Sequence, residues 1–195
     1  MIPTCIPRFR VLATLRCGWT DERASQIVEF ALSLPLLVLF VVGIFDFSGA
    51  VSLKQKLTNA AREGARVAAA DPANDLGNGS AKIAPDSVAD AFQVVDNYLA
   101  SENIADCGLS VGTFTATGLT WVFTATGSPC GATAAFVLTI NRGCIQKVNA
   151  VNLVGTCVTI QYPYKWQFGS VSSLVGGKFT GPTSLTTTAM AFNEN

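Results

Sequence analysis

From Ser25 to Ala70 the chain reads SQIVEFALSLPLLVLFVVGIFDFSGAVSLKQKLTNAAREGARVAAA, and no other stretch limits the fold so tightly. Ile27 to Phe47 is 21 residues; as a helix it spans roughly 31 Å, about the hydrocarbon thickness of a bilayer. One carboxylate, Glu29, stands near the start of this run, where a membrane helix ordinarily excludes charge. Pro35 donates no backbone hydrogen bond, so a kink or loosening is expected from Ala31 to Pro35, while Ser33 can bond back to the helix at little cost. Asp46 marks the far boundary. Beyond it the helical period continues: Ala50, Leu53, Leu57, Ala60, Ala61, Gly64 and Ala68 share one side, and Lys54, Gln55, Asn59, Arg62 and Arg66 take the other. The small residues after Leu57 suit close packing of helix on helix or helix on sheet. A continuous helix from Gln26 to Ala70 would be roughly 65 Å long, more than one small domain covers, so part of it must meet lipid or other subunits. Asp71-Pro72 ends it, because the residue before proline resists the α region.

What surrounds this stretch excludes most chemistry. The chain of 195 residues has no histidine, which removes Ser-His-Asp and Cys-His catalysis and His-ligated zinc. Net charge is zero, and no Lys/Arg cluster lies outside the first two dozen residues, so no nucleic-acid footprint is present. Glu63, Asp71, Asp90, Asp96, Glu102 and Asp106 are spaced as surface charges with no nucleophile–base signature, so no enzyme activity and no cofactor is expected. Residues 1–24 carry Arg8, Arg10, Arg16 and Arg23, which place that side in the cytoplasm. They read as a short tail or as a leader peptide that is removed.

Residues 71–85 form a turn-rich linker. Its Asp71, Asn74, Asp75 and Asn78 lack calcium-loop spacing and read as solvated. Asp86 to Ala100 is a second helix, with Ser87 and Asp90 resembling a capping box and Val88, Phe92, Val95 and Leu99 as its apolar stripe. From Cys107 the period becomes two. Expected strands are Leu109 to Thr117, Leu119 to Thr126, Thr133 to Asn141, Thr156 to Tyr164 and Ser184 to Phe192, with a helical turn at Val171 to Gly176. Trp121 and Trp166 read as packing residues at the sheet. The fold class is thus α+β, with a long transmembrane-then-amphipathic helix, a second helix and an antiparallel sheet of four to five strands in a head spanning residues 86–195.

Cys5 and Cys17 precede the apolar run, and Cys107, Cys130, Cys144 and Cys157 follow it. On the exported side the last four meet an oxidising compartment and can form two disulfides, with three connectivities open. If Thr133–Asn141 and Thr156–Tyr164 pair as a long hairpin, Cys144 can bridge to Cys157 at its end, leaving Cys107 for Cys130. The spacings offer no C-x-x-C knuckle for zinc.

The segment RASQIVEF, the closing Asp46-Phe47 and the AAREGAR of Ala60 to Arg66 together resemble the TadE-like family of minor pseudopilins of bacterial Tad (Flp-type) pili. CVTIQYPY and the terminal AMAFNEN agree in layout with that family's tail. The resemblance implies a pilin-like fold and cleavage between Ala24 and Ser25 by a membrane prepilin peptidase; Ala24 stands where the family usually has glycine. It implies assembly through Glu29 and Phe30 with other pilin subunits at an inner-membrane platform, in contact with the lipid bilayer. The expected topology is a single pass, N-terminus cytoplasmic and head extracytoplasmic, with possible export into the pilus. Physical chemistry supports the role of Glu29 independently: after cleavage Ser25 bears an ammonium, and in a helical stack the Glu29 carboxylate of one subunit can neutralise the amine of its neighbour in low dielectric. The alternative is a signal-anchored or secreted binding module, with Ser48-Gly49-Ala50 as a signal-peptidase site that releases a domain from Val51.

Overall fold

The computed structural model describes residues 22–77, 83–128, 130, 135–167, 169, 177 and 181–193, with the side chains of 22–25 and 148 excepted. The leader to residue 21 and the expected turn at Val171–Gly176 lie outside the described residues. The chain divides into two compact units, Met1–Ile44 and Phe45–Asn195.

Helix α1 runs Glu22–Ala70. In the first unit its side chains are apolar on every side and exposed, with Ile27, Phe30, Leu32 and Phe40 among them. A helix that is apolar all round needs an apolar surrounding on all sides. Its most apolar 18-residue window has mean hydropathy 2.5 and buries nothing, so by length and composition α1 can cross a membrane. The helix is unbroken across Pro35, although the proline leaves the Ala31 carbonyl without its usual donor. Ser33 Oγ donates to the Phe30 carbonyl at 3.1 Å.

The second unit contains the rest of α1, α2 (Asp86–Ser101) and five strands: β1 (Phe114–Thr117), β2 (Thr120–Ala125), β3 (Phe136–Val148), β4 (Val151–Pro163) and β5 (Ser184–Phe192). The strands form one antiparallel sheet in sequence order, β1-β2-β3-β4-β5. Alternation sends Phe136, Leu138 and Ile140 of β3 and Val158 and Ile160 of β4 into a core shared with Leu57, Ala60, Ala61, Ala65 and Ala68 of α1 and Val88, Phe92, Val95 and Leu99 of α2. The opposite sheet face is threonine-rich and solvated; Thr159 and Thr188 bond each other across β4 and β5 at 2.9 Å. That division is the expected one for an antiparallel sheet covered on one side.

Several boundaries depart from the sequence reading for local reasons. Leu109 to Thr113 is not strand, because turns take its backbone: Leu109 N donates to Asp106 O and Thr113 N to Ser110 O. The first FTATG segment pairs with Thr120–Phe123, its Phe114 opposite Phe123, the first residue of the second, through a tight turn in which Gly118 takes φ 58°. The β3–β4 hairpin extends past Asn141 to a two-residue turn at Asn149 and Ala150, both at positive φ. Its register shifts between Asn141 and Cys144, where Arg142 and Gly143 together oppose Thr156 in a bulge. Trp121 is buried in the sheet as expected, but Trp166 sits in the loop after β4, where its indole nitrogen donates to Pro182 O at 2.7 Å. The Ser87–Asp90 capping box does not form. Pro85 occupies the N-cap position without a side-chain cap, and the carboxylate of Asp75, from the linker, accepts from Ser87 N at 2.8 Å. The linker therefore carries a cap in a short 3-10 turn, Ala73–Gly77.

At Gly64, in the AAREGAR segment, α1 comes close to α2: a Cβ there would lie 2.6 Å from Val95 Cγ2. Valine on a helix is stiff at χ1 and yields little. We expect Gly64→Ala to destabilise the detergent-solubilised chain, since overpacking of about 1–3 kcal/mol outweighs the roughly 1 kcal/mol that alanine adds to helix propensity. In a Val95→Ala background the sign should reverse and Gly64→Ala should raise the melting temperature. Thermal unfolding of the four variants checks both signs.

Candidate functional site

The residues singled out from the sequence fall into both units. Ala24 and Ser25 lie within the α1 backbone. Glu29 and Phe30 follow on the same helix, both exposed, Phe30 at 66%, and Glu29 makes no ion pair among the described residues. Around and beyond it, from Ile27 to Phe47, thirteen large apolar side chains are exposed. This arrangement can associate with lipid or with other helices and offers no group for covalent chemistry.

At the end of the apolar run Asp46 is only 9% exposed. Tyr164, just past β4, donates its hydroxyl to Asp46 Oδ1 at 3.1 Å and lies 3.2 Å from the Asp46 carbonyl. Burial, then the hydrogen bond and charge of Asp46, push the Tyr164 phenol above its ordinary value. Asp46 therefore does more than mark a boundary: it ties α1 to the loop that follows the sheet.

A second tie was not singled out in the sequence. Arg142 on β3 is 1% exposed and donates through Nη2 to the carbonyl of Asp71, the residue after α1, at 3.0 Å. A cation at a helix C-terminus is favoured by the dipole. Burial pulls the guanidinium below its ordinary value, and the charges of Asp75 and Asp71 oppose that. Arg142 thus joins β3 to the end of α1, and its charge is balanced by that of Asp75, which caps α2. The signal was the alternation itself: the inward row Phe136, Leu138, Ile140 continues by one step to Arg142.

All four cysteines of the head are paired, Cys107 with Cys130 and Cys144 with Cys157, at Cα separations of 5.4 and 5.7 Å. The first closes the loop between α2 and β3, where Gly127 N also donates to Cys107 O at 2.8 Å. The second lies at the bulge in the β3–β4 hairpin. Of the remaining carboxylates, Glu63 pairs with Arg66 at 3.2 Å and Glu102 with Lys56 at 2.9 Å. Among the described residues no three His, Cys, Asp or Glu side chains form a group that could hold a metal.

Comparison with known proteins adds one finding. A family model described as TadE-like protein matches residues 24–66, which takes in Glu29, Phe30, Asp46 and Gly64. Neither a curated protein nor a solved structure matches the chain.

The linker supplies a pH prediction. Burial, then Asp90, raise the Asp71 carboxyl above its ordinary value; Arg142 opposes this and Asp75 adds to it. A folded-state carboxyl with a raised pKa binds its proton more tightly than the unfolded chain does. Its contribution favours folding at pH below the folded pKa and is lost as pH rises through it. Asp71→Asn should therefore raise the melting temperature near neutrality, and the gain should shrink as pH falls to about 4, into the ordinary carboxylate range. A gain independent of pH would show that the charge is not its cause.

Proposed function

We propose that this chain, a TadE-like protein through residues 24–66, is a minor pilin-type subunit of a Tad-type pilus that a prepilin peptidase cuts between Ala24 and Ser25. The cut subunit sits in the inner membrane as a single pass, its arginine-rich end in the cytoplasm and its disulfide-bonded head outside. From there it is assembled at the membrane platform with other pilin subunits, for pilus biogenesis and surface adherence.

The observation that carries this reading is the composition of α1. Its first half exposes apolar side chains all round, and its second half places small residues in the core of a folded head. Such a helix suits two environments in turn, lipid before assembly and neighbouring helices after it, because neither demands a polar stripe. Glu29 supplies the register. Paired with a neighbour's terminal amine it is neutralised; displaced by one turn it is a bare charge in an apolar surrounding. The reading assigns the head no catalytic role, and the absence of histidine from the sequence agrees with that.

A secreted binding module released at Val51 fits less well. The Ser48-Gly49-Ala50 site lies inside an unbroken helix, Ala50 is buried, and the cut would remove Asp46, the partner of Tyr164.

Amino-terminal sequencing of the protein purified from a strain that carries the peptidase should begin at Ser25; a start at Val51 would favour the secreted module. Glu29→Ala should be processed normally yet reduce incorporation into pilus preparations by about tenfold or more, the equivalent of about 1.4 kcal/mol of lost pairing. Normal incorporation of Glu29→Ala would remove the electrostatic register from the account.

A further inference from the structure

Just past β4 the chain reads YKWQ from Tyr164 to Gln167, and this stretch is held at several points. Tyr164 N donates to Thr183 O at 2.9 Å. The Tyr164 hydroxyl is bonded to Asp46, and Trp166 Nε1 donates to Pro182 O at 2.7 Å. The two rings stack edge-on with centroids 5.0 Å apart. Lys165 between them is exposed, and both rings are half-buried. On α1, Phe45 and Phe47 flank Asp46 and are 75% and 64% exposed.

The Tyr164–Asp46 bond keeps this cluster near the end of the apolar run. Asp46 closes the apolar run, so its carboxylate stands at or outside the hydrocarbon boundary. The Tyr164 oxygen is within hydrogen-bond distance of it, and the Trp166 ring is one ring contact further on. The headgroup layer on each side of a bilayer is roughly 5–8 Å deep, comparable to that combined reach. Tyrosine and tryptophan are the residues whose apolar rings and polar tips favour this layer, and lysine beside them favours its phosphates.

We infer that Tyr164, Lys165 and Trp166 form a lipid-facing shelf that seats the head on the headgroup layer of the leaflet next to Asp46. The inference rests on the membrane reading of α1 proposed above and adds to it a second point of contact, made by the head itself. Asp46 and Tyr164 are positioning residues in this arrangement; Trp166 and Lys165 meet the lipid.

The test uses the full chain carrying Trp19→Phe, reconstituted in phosphatidylcholine–phosphatidylglycerol vesicles with lipids brominated near the headgroup. Trp121 is 3% exposed in the core and serves as the internal reference. Trp166 emission should be quenched by the brominated lipid and screened from aqueous iodide, and Trp166→Phe should abolish the lipid-dependent part and leave the Trp121 emission in place. Tyr164→Phe, which removes only the hydroxyl tie, should reduce lipid quenching by about twofold or more, as expected if the interfacial ring loses its position, while the chain stays resistant to alkaline carbonate extraction. A carbonate-resistant chain whose Trp166 is open to iodide and untouched by brominated lipid overturns the shelf and leaves the membrane reading standing. So does screening from iodide that appears only as protein density in the vesicles rises, which would assign the surface to a protein neighbour. If carbonate extracts the unmodified chain, the membrane reading fails, and the shelf fails with it.

Discussion

The head depends on how closely α1 can approach its neighbours. At Gly64 there is no room for a methyl group against Val95, and the residues around it on the same side are alanines with almost no exposure. Small side chains let the two helices and the sheet close over a core whose bulk comes from the other partners: Phe92 from α2, Phe123 and Phe136 from the sheet. Phe92 and Phe123 meet at 4.8 Å between ring centroids. Bulk on one side and small residues on the other fill the layer at native density, where large residues on both would not fit. The same alanines keep helix propensity high, so one composition serves both the helicity of this part of α1 and its packing.

Two polar ties then hold the ends of the buried part of α1. Asp46 binds Tyr164 where the apolar run stops, and the Asp71 carbonyl receives Arg142 where the helix stops. Each joins a helix residue to a position more than 70 residues away in sequence (|i−j| of 118 and 71). Each also removes charge or polarity from water, which is favourable only where the partner is present. The Thr58–Thr187 contact at 2.8 Å lies between them and ties α1 to β5. The Tyr164 bond gives Asp46 a structural reason within the head, as the close approach to Val95 does for Gly64 of the AAREGAR segment, beside any role in assembly.

Legibility varied with the locality of the physics. The limits of β5 and the start of α2 were readable because a strict period ends there at a turn or a proline. The backbone around Leu109 and Val151 was not, since the first is claimed by turns near Cys107 and the second is strand held in place by its partner across a bulge. Asp75 was read as a solvated linker residue, yet it caps α2, because its sequence neighbours say nothing of where the linker doubles back. Arg142 escaped notice although its place in the alternation assigned it to the inner face; a charged residue in that row signals a partner, and only the fold identifies it.

By itself, then, the sequence determined that α1 is long, apolar for its first half and small-sided for its second, that a second helix and an antiparallel meander follow, and that histidine chemistry is absent. Those are properties of period, length and composition, all carried by near neighbours in the chain. Tertiary structure decided which carboxylate caps α2, which carbonyl receives Arg142, and that Tyr164 meets Asp46. Each of these is a contact between distant segments, and its energy depends on burial and geometry that no local pattern encodes.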